Sequence, residues 1–359
     1  MARKCAIAVL VFLLNVLPAC AGQGRPHVPA PPTEAESRLL DYLLTEQLGE
    51  HGVYTNRLDT DQSDLLASGQ EVLSESAGLL MRYYARSGDR EAFEKAWNQA
   101  RQTFDQPGSF SYRYSPKHNK RYGVNAAVDD LRIIRALFEA ADSFGEKAYL
   151  AEAEQNAGRF LMHNVKDGKL FDMYDEHNHT TNAFITLCYV DHYTLSLMNE
   201  AGKKLRADML GIVQEGYLSD AFPFYETRYD YESKQYVSDG INMVESLLTV
   251  LSLAEVGKQK ETSIRFIKEK VAEGQLYGRY SREGEALTDV RSTALYALAA
   301  MIGHASQDNE LYESAIRQME QFRIQDPASE LYGGFGDPAT GQAYSFDNLT
   351  ALLAYAAKR

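Results

Sequence analysis

The sequence predicts an all-α fold, an (α/α)6 barrel with long loops at one end, on three observations. Apolar residues recur at helical spacing in twelve separate stretches, the connections between them alternate between short and long, and prolines are confined to the long ones. The stretches fall at about 33–49, 74–87, 89–104, 128–143, 146–163, 183–200, 203–215, 239–256, 260–273, 290–304, 308–322 and 346–358. Thr33 and Glu36 have the spacing of a capping box, and Leu39, Leu40, Leu43 and Leu44 follow at helical period. Short turns such as Ser87-Gly88-Asp89, Gly145-Glu146, Ala201-Gly202-Lys203, Gly257-Lys258 and Ser306-Gln307-Asp308 make antiparallel neighbours, so the long connections all emerge at one end. After residue 32 the prolines are Pro107, Pro116, Pro223, Pro327 and Pro338, each inside a long loop, where a ring that breaks helices is tolerated. No composition break divides residues 33–359, which are expected to form a single catalytic domain.

The first residues read as an address. Arg3 and Lys4 precede an apolar run from Ala6 to Leu17, the length of a secretory h-region and too short to span a membrane. The run ends Leu17-Pro18-Ala19-Cys20, which resembles the lipobox of bacterial lipoproteins. Residues 1–19 are thus expected to be a lipoprotein-type signal peptide and Cys20 the lipidated residue; Ala19-Cys20-Ala21 also fits an ordinary signal peptidase site cutting after Ala21. Residues 20–32, rich in Pro and Gly, read as a tether. The expected location is the outer face of a bacterial cytoplasmic membrane, through that anchor. Cys188 is then the one cysteine in the body, which excludes a body disulfide and a cysteine-based zinc site.

With 37 Lys plus Arg against 50 Asp plus Glu, the net charge of the 359-residue chain is −13, and losing Arg3 and Lys4 makes it two units more negative. A nucleic-acid partner needs a basic surface and is excluded on this ground. The sequence has no phosphate loop, dinucleotide fingerprint or nucleophile elbow, and no cofactor is expected. His177 and His179, near Asp172, Asp175 and Glu176, are read as a solvated loop rather than a metal site; His51, His118, His163, His192 and His304 are read as structural or surface residues.

The six long loops hold 14 of the 23 tyrosines, which suits a surface that takes flat, hydroxyl-rich ligands, although alternation in SFSYRY and GQLYGRY also fits rings that pack loop against loop. Tyr225 and Tyr280 are the expected sugar-stacking rings. Helices that follow the long loops should point their N-termini at the mouth, and their starts read Ser74-Glu75, Asp129-Asp130, Asp239, Asp289 and Asp347, with Thr180, Thr181 and Asn182 at the sixth. Capping and the helix dipole favour carboxylates at any helix start. A ring of them beneath aromatic loops is also what hydrolysis of a glycosidic bond requires.

Ser74-Glu75-Ser76-Ala77-Gly78-Leu79-Leu80-Met81, followed by Asp89, Phe93 and Trp97, resembles the S-E-G-x(4)-M helix and the D-x(3)-F-x(3)-W segment of glycoside hydrolase family 8. Residues 126–144 resemble that family's A-[ST]-D-[AG]-D-x-x-I signature, and Tyr236-Val237-Ser238-Asp239 resembles the segment that supplies its base. Ser76-Ala77 replaces the usual Gly-Gln, and Val128 stands where the first signature aspartate belongs. The likeness is greatest to family-8-like lipoproteins encoded beside bacterial exopolysaccharide synthases. It implies a six-hairpin endo-β-glycanase with Glu75 as general acid and Asp239 as general base, inverting the anomeric centre. Asp130 is implied as a sugar-binding carboxylate, and Asp129 is expected to take the place of the missing one; Asn182 and Asp347 complete the expected substrate contacts. The expected partners are a polysaccharide, most readily an exopolysaccharide, the membrane, and synthase components. Two other functions fit the same barrel: a non-catalytic binding lipoprotein that assists export, and an exo-acting unsaturated glucuronyl hydrolase.

Overall fold

The computed structural model describes residues 29–63 and 66–358. The segment expected to be a signal peptide, Cys20 and most of the expected tether lie outside the described residues.

Among the described residues, twelve α-helices alternate between two layers. The inner ring is α2 (Ser74–Ser87), α4 (Ala127–Phe144), α6 (His192–Leu197), α8 (Met243–Ala254), α10 (Thr293–Ala305) and α12 (Ser345–Tyr355); contacts between neighbours, and between α12 and α2, close it. The outer layer is α1 (Glu34–Tyr42), α3 (Arg90–Phe104), α5 (Lys147–His163), α7 (Glu200–Glu215), α9 (Glu261–Glu273) and α11 (Asn309–Glu320). The two layers differ as their sequences dictate. α10 is buried from Thr293 through Gly303, as expected of a helix that is apolar or small-sided all round. Gly303 is required there, because a Cβ would lie 2.6 Å from the Tyr312 amide of α11. The outer helices bury one stripe each, as Phe93, Trp97, Ala100 and Phe104 do in α3.

The closed end is made by the short turns. Gly88 (φ +74°) and Gly145 (φ +67°) end α2 and α4 in the left-handed conformation that glycine adopts without penalty, and Asp89 and Asp308 cap the outer helices that follow by accepting from Ala92 N and Leu311 N. Thr33 accepts from Glu36 N as the capping-box spacing predicts. Beyond Tyr42, the first helix winds into a π-helical turn, Leu43–Gln47.

Three inner segments begin later than their periodicity suggests. Residues 183–200 are not one helix: Phe184–Thr186 is a strand paired antiparallel to Arg228–Asp230, Leu187–Tyr189 is a 3₁₀ turn, and α6 has six residues. The hairpin of Arg228–Asp230 and Gln235–Val237 presents an open edge, and the aromatic and β-branched residues Phe184, Ile185 and Thr186 pair with it. Gly240 at φ +71° stops a helix from starting at 239; Ile241–Asn242 pairs with Arg279–Tyr280, and α8 begins at Met243 with Asn242 as its cap. α10 begins at Thr293, so Asp289 is not at a helix start.

On the closed side of the ring, charged side chains form a buried plug. Arg135 grips Glu255 through two 2.7 Å hydrogen bonds and Glu139 through one of 2.9 Å, and Arg82 and Arg86 also reach Glu139. Burial works to raise the Glu139 carboxyl, but the three guanidinium groups overcome it and hold the group well below the usual carboxylate range.

Candidate active site

Above the plug the inner helices open toward the long loops, and the floor there is lined by acids. Glu75 lies in the first turn of α2, and Asp129 in the first turn of α4. Arg132, one turn along α4, places its Nη1 2.5 Å from Asp129 Oδ1 and 3.1 Å from Glu75 Oε2. Gly78 makes this possible. A Cβ there would lie 2.7 Å from the Cβ of Arg132, so α2 and α4 approach closely only because the side chain is missing. The 3₁₀ turn Leu187–Tyr189 adds Tyr189 and Cys188 to the same floor, and Asp172 and Glu245 stand behind it, close enough to raise the Cys188 thiol further after burial has done so.

Burial dominates the charge states. It pushes the Asp129 carboxyl up to about 7, with Glu75 adding to the effect and Arg132 opposing it. Asp172 rises to about 6 by burial despite accepting from Thr186 N and Oγ1, both at 2.6 Å, and burial raises Glu245 as well. A carboxyl group that burial keeps partly protonated near neutral pH, as it does Asp129, beside the less buried Glu75, is suited to a site that gives a proton to a leaving oxygen.

The other expected site residues are distributed differently. Asp130 faces the outer layer: it accepts from Phe110 N at 3.4 Å and Asn125 Nδ2 at 2.9 Å, and burial pushes it up to about 8. It braces the loop before α4 and does not join the acid floor. Asp347 accepts from Ala294 N at 2.9 Å and so caps α10 from the neighbouring α12. Burial raises its carboxyl too. Asn182 lies between the strands Thr180–Thr181 and Phe184–Thr186, and neither polar atom of its covered amide has a hydrogen-bond partner among the described residues. Asp239 is not at a helix N-terminus. Its side chain is fully exposed on the loop before α8, its carbonyl accepts from Arg279 Nη2 at 2.6 Å, and its carboxylate is 3.8 Å from the same guanidinium. Ser238 beside it donates to Glu226 at 2.5 Å, which pins the loop from the other side.

Tyr225 and Tyr280 do not offer a face to a ligand. Tyr225 is 2% exposed and meets Tyr217 edge-on at 5.6 Å. Tyr280 is 3% exposed; its hydroxyl donates to Gln275 O and accepts from Tyr277 N, and its ring lies 5.4 Å from that of Phe222. Both belong to the packing between loops. Tyr280→Ala is therefore expected to cost about 3–5 kcal/mol of stability, with glycan affinity of the folded fraction unchanged; melting and affinity electrophoresis measure the two. Tyr344, 47% exposed at the start of α12, is a ring that does present a face.

Arg132, Asp172, Glu245 and Tyr189 were not legible as site residues. Arg132 follows Asp129 by three positions on one helix face, a spacing that signals an ion pair but not its third member. The histidine-containing loop divides in the structure. Asp175 accepts from His177 N and Asn178 N in an exposed turn, whereas Asp172 points to the floor.

No family profile matches the chain. A novel alpha-amylase from Clostridium perfringens is 30% identical, with 92% of this chain and all of that one aligned, at a TM-score of 0.84. A Bacillus subtilis (strain 168) protein, YdaJ, provisionally named a lipoprotein, is 28% identical over 98% of this chain and 97% of its own. An endoglucanase of Klebsiella pneumoniae, a family 8 glycosyl hydrolase, shares the fold at 15% identity, with 90% of this chain and all of that one aligned, at a TM-score of 0.62. The barrel and the likeness to the Clostridium enzyme define a glycoside hydrolase, built on the six-hairpin fold that it shares with the family 8 endoglucanase. Within that class, the chain belongs to the family of the Clostridium enzyme.

Proposed function

We propose that the protein cleaves internal bonds of an extracellular polysaccharide with inversion, Glu75 acting as general acid and Asp239 as general base. The carrying observation is the position of Glu75 on the floor of the barrel, in contact with Arg132 and next to Asp129, where a sugar oxygen entering from the loop end meets it. Inversion requires a second, ionised carboxylate across the ring, roughly 6.5–9.5 Å from the first, with room for water. An exposed carboxylate beside Arg279, on a loop held by Glu226 and Arg279, suits that task. The unpartnered amide of Asn182 is suited to a sugar hydroxyl, and the acidic chain to a neutral or cationic polymer, such as a glucan or a partly deacetylated hexosamine chain. We assign Asp129 to the proton chemistry below rather than to direct sugar contact.

The linkage has two readings. The sequence motifs and shared fold point to a β-linked exopolysaccharide, and the 30% identity to an alpha-amylase favours an α-linked glucan. Reducing-end release on soluble starch, carboxymethylcellulose, mixed-linkage β-glucan and partly deacetylated poly-N-acetylglucosamine separates them, and NMR of the first product reports the anomer. Binding without cleavage on every polymer would favour the export-assisting binding protein. In the same assay Asp239→Asn is expected to lower the rate by about 10²–10⁴-fold, and Glu245→Gln to leave a measurable rate. The reverse order would move the base to Glu245.

The same proposal anchors the chain at Cys20. Pro29 packs beside Gly88 at the closed end, where a Cβ on Gly88 would lie 3.3 Å from the proline ring. Nine residues span at most about 32 Å, so the anchor holds the closed end near the membrane and leaves the loop end facing away from it, toward polymer. Cys20→Ala is expected to move the protein from the membrane fraction to the medium without changing its helical content; equal release of both forms would remove the anchor.

A further inference from the structure

We propose that Glu75 and Asp129 hold a single proton between them, enforced by the one guanidinium of Arg132, and that Asp129 is thereby a positioning residue that keeps the acid of the reaction protonated. This rests on the reading of Glu75 as the acid.

The argument begins with a charge count in a confined volume. Two carboxyl groups and one guanidinium meet at Arg132 Nη1, with side-chain exposures of 22% for Glu75 and 8% each for Asp129 and Arg132. With both acids ionised the cluster carries one uncompensated negative charge away from water, a state that burial penalises severely. One proton removes it. The surrounding groups do not supply the missing cation: Tyr189 and Cys188 on the 3₁₀ turn, Asp172 and Glu245 behind it, and Asp130, the next residue of α4, are neutral or acidic, and Arg82, Arg86 and Arg135, which line a cavity with Arg132, are matched by Glu139, Asp191 and Glu255. Burial pushes Asp129 up to about 7, and the proton belongs to the interacting pair rather than to one member.

The distances say which member is the donor during reaction. Arg132 lies 2.5 Å from Asp129 and 3.1 Å from Glu75, and Glu75 is the more exposed of the two. When a glycosidic oxygen enters, the favourable arrangement keeps Asp129 ionised on Arg132 and Glu75 protonated toward the sugar. As the bond from the anomeric carbon to that oxygen breaks, the proton passes from Glu75 to the leaving oxygen. Water attacks the anomeric carbon, and its proton goes to the base. The base then releases that proton to solvent and the pair regains one, which restores both groups. This arrangement accounts for how a carboxyl group can act as an acid while touching an arginine: the second carboxylate takes up the cation.

Potentiometric titration of the full folded protein tests this without a substrate. Wild type is expected to release one proton more than Asp129→Asn between about pH 5 and about pH 9, and the same single step is expected to vanish in Glu75→Gln, because either change leaves one carboxylate matched to one guanidinium. Glu75→Gln keeping the step while Asp129→Asn loses it would place the proton on Asp129 alone and overturn the proposal, as would both variants keeping it. Should Asp129→Asn not fold, Glu75→Gln decides by itself on the same criterion. On the polymer cut best in the panel above, the alkaline limb of kcat/KM in Asp129→Asn is expected to move at least about one pH unit lower, a tenfold or greater loss on that side with the acid side retained; a uniform scaling of the profile would also overturn it. Cleavage surviving in Glu75→Gln, with the shared step lost as expected, would instead refute the acid assignment and leave the shared proton standing.

Discussion

Glu75→Gln is expected to lower the cleavage rate by about 10²–10⁴-fold while leaving polymer binding within a few-fold of wild type. The amide keeps the shape of the side chain, and its oxygen still accepts from Arg132, which lies 3.1 Å from the carboxylate it replaces. What is lost is the proton for the leaving oxygen. The protein should not melt lower, because removing one of two acids around one guanidinium relieves a charge mismatch rather than creating one. Reducing-end release and affinity electrophoresis on the same preparation measure the two effects. A variant that cuts at the wild-type rate would refute Glu75 as the acid.

The second large effect concerns stability. Arg113 and Glu71 are both fully buried and joined by two hydrogen bonds, of 2.8 and 2.7 Å. Arg113 also donates to Ser63 O and lies 4.4 Å over the ring of Tyr122, while Glu71 accepts from Ser68 N at 2.9 Å. The pair therefore ties the loop ahead of α2 to the hairpin of Arg113–Ser115 and Lys120–Arg121, whose first strand pairs with Val72–Leu73. Glu71→Ala strands a guanidinium with no access to water, at a cost of about 3–5 kcal/mol. For a chain of this size that corresponds to a fall in Tm of roughly 4–7 °C. Replacing both residues with methionine is expected to cost much less, since no charge is then left unpaired. Equal losses in the single and double variants would mean that packing volume, rather than charge pairing, holds this corner. Because Ser74 begins α2 three residues after Glu71, the single variant should also lower activity by loosening the helix that carries Glu75.

How much of this was legible depends on the kind of information each feature needs. Glu75 and Asp129 could be placed at the mouth from their chain positions, because each lies in the first turn of a helix whose period is unmistakable. Asp239 and Asp289 failed the same test. Their helices start four residues later, where Gly240 takes a left-handed conformation in one case and the chain stays irregular to Ser292 in the other. Tyr225 and Tyr280 illustrate a different limit. Composition says that a loop is rich in tyrosine, but whether a ring faces a ligand or another ring depends on partners such as Tyr217, across a turn of the same loop, and Phe222, from a neighbouring loop.

By itself the sequence determined the alternation of helices, the gathering of the long loops at one end and the closed end opposite, because helical periodicity, proline and turn glycine act within a few residues of chain. It also placed Glu75, Asp129, Asp130 and Asp347 in the first turns of their helices, though not Asp239 or Asp289. The tertiary structure alone decided what those acids do. Asp130 and Asp129 are adjacent in sequence, yet a 100° step around α4 sends one to Asn125 and Phe110 and the other to Arg132 and Glu75. Burial then sets their charge, and burial is a property of everything packed around a group rather than of the residue itself.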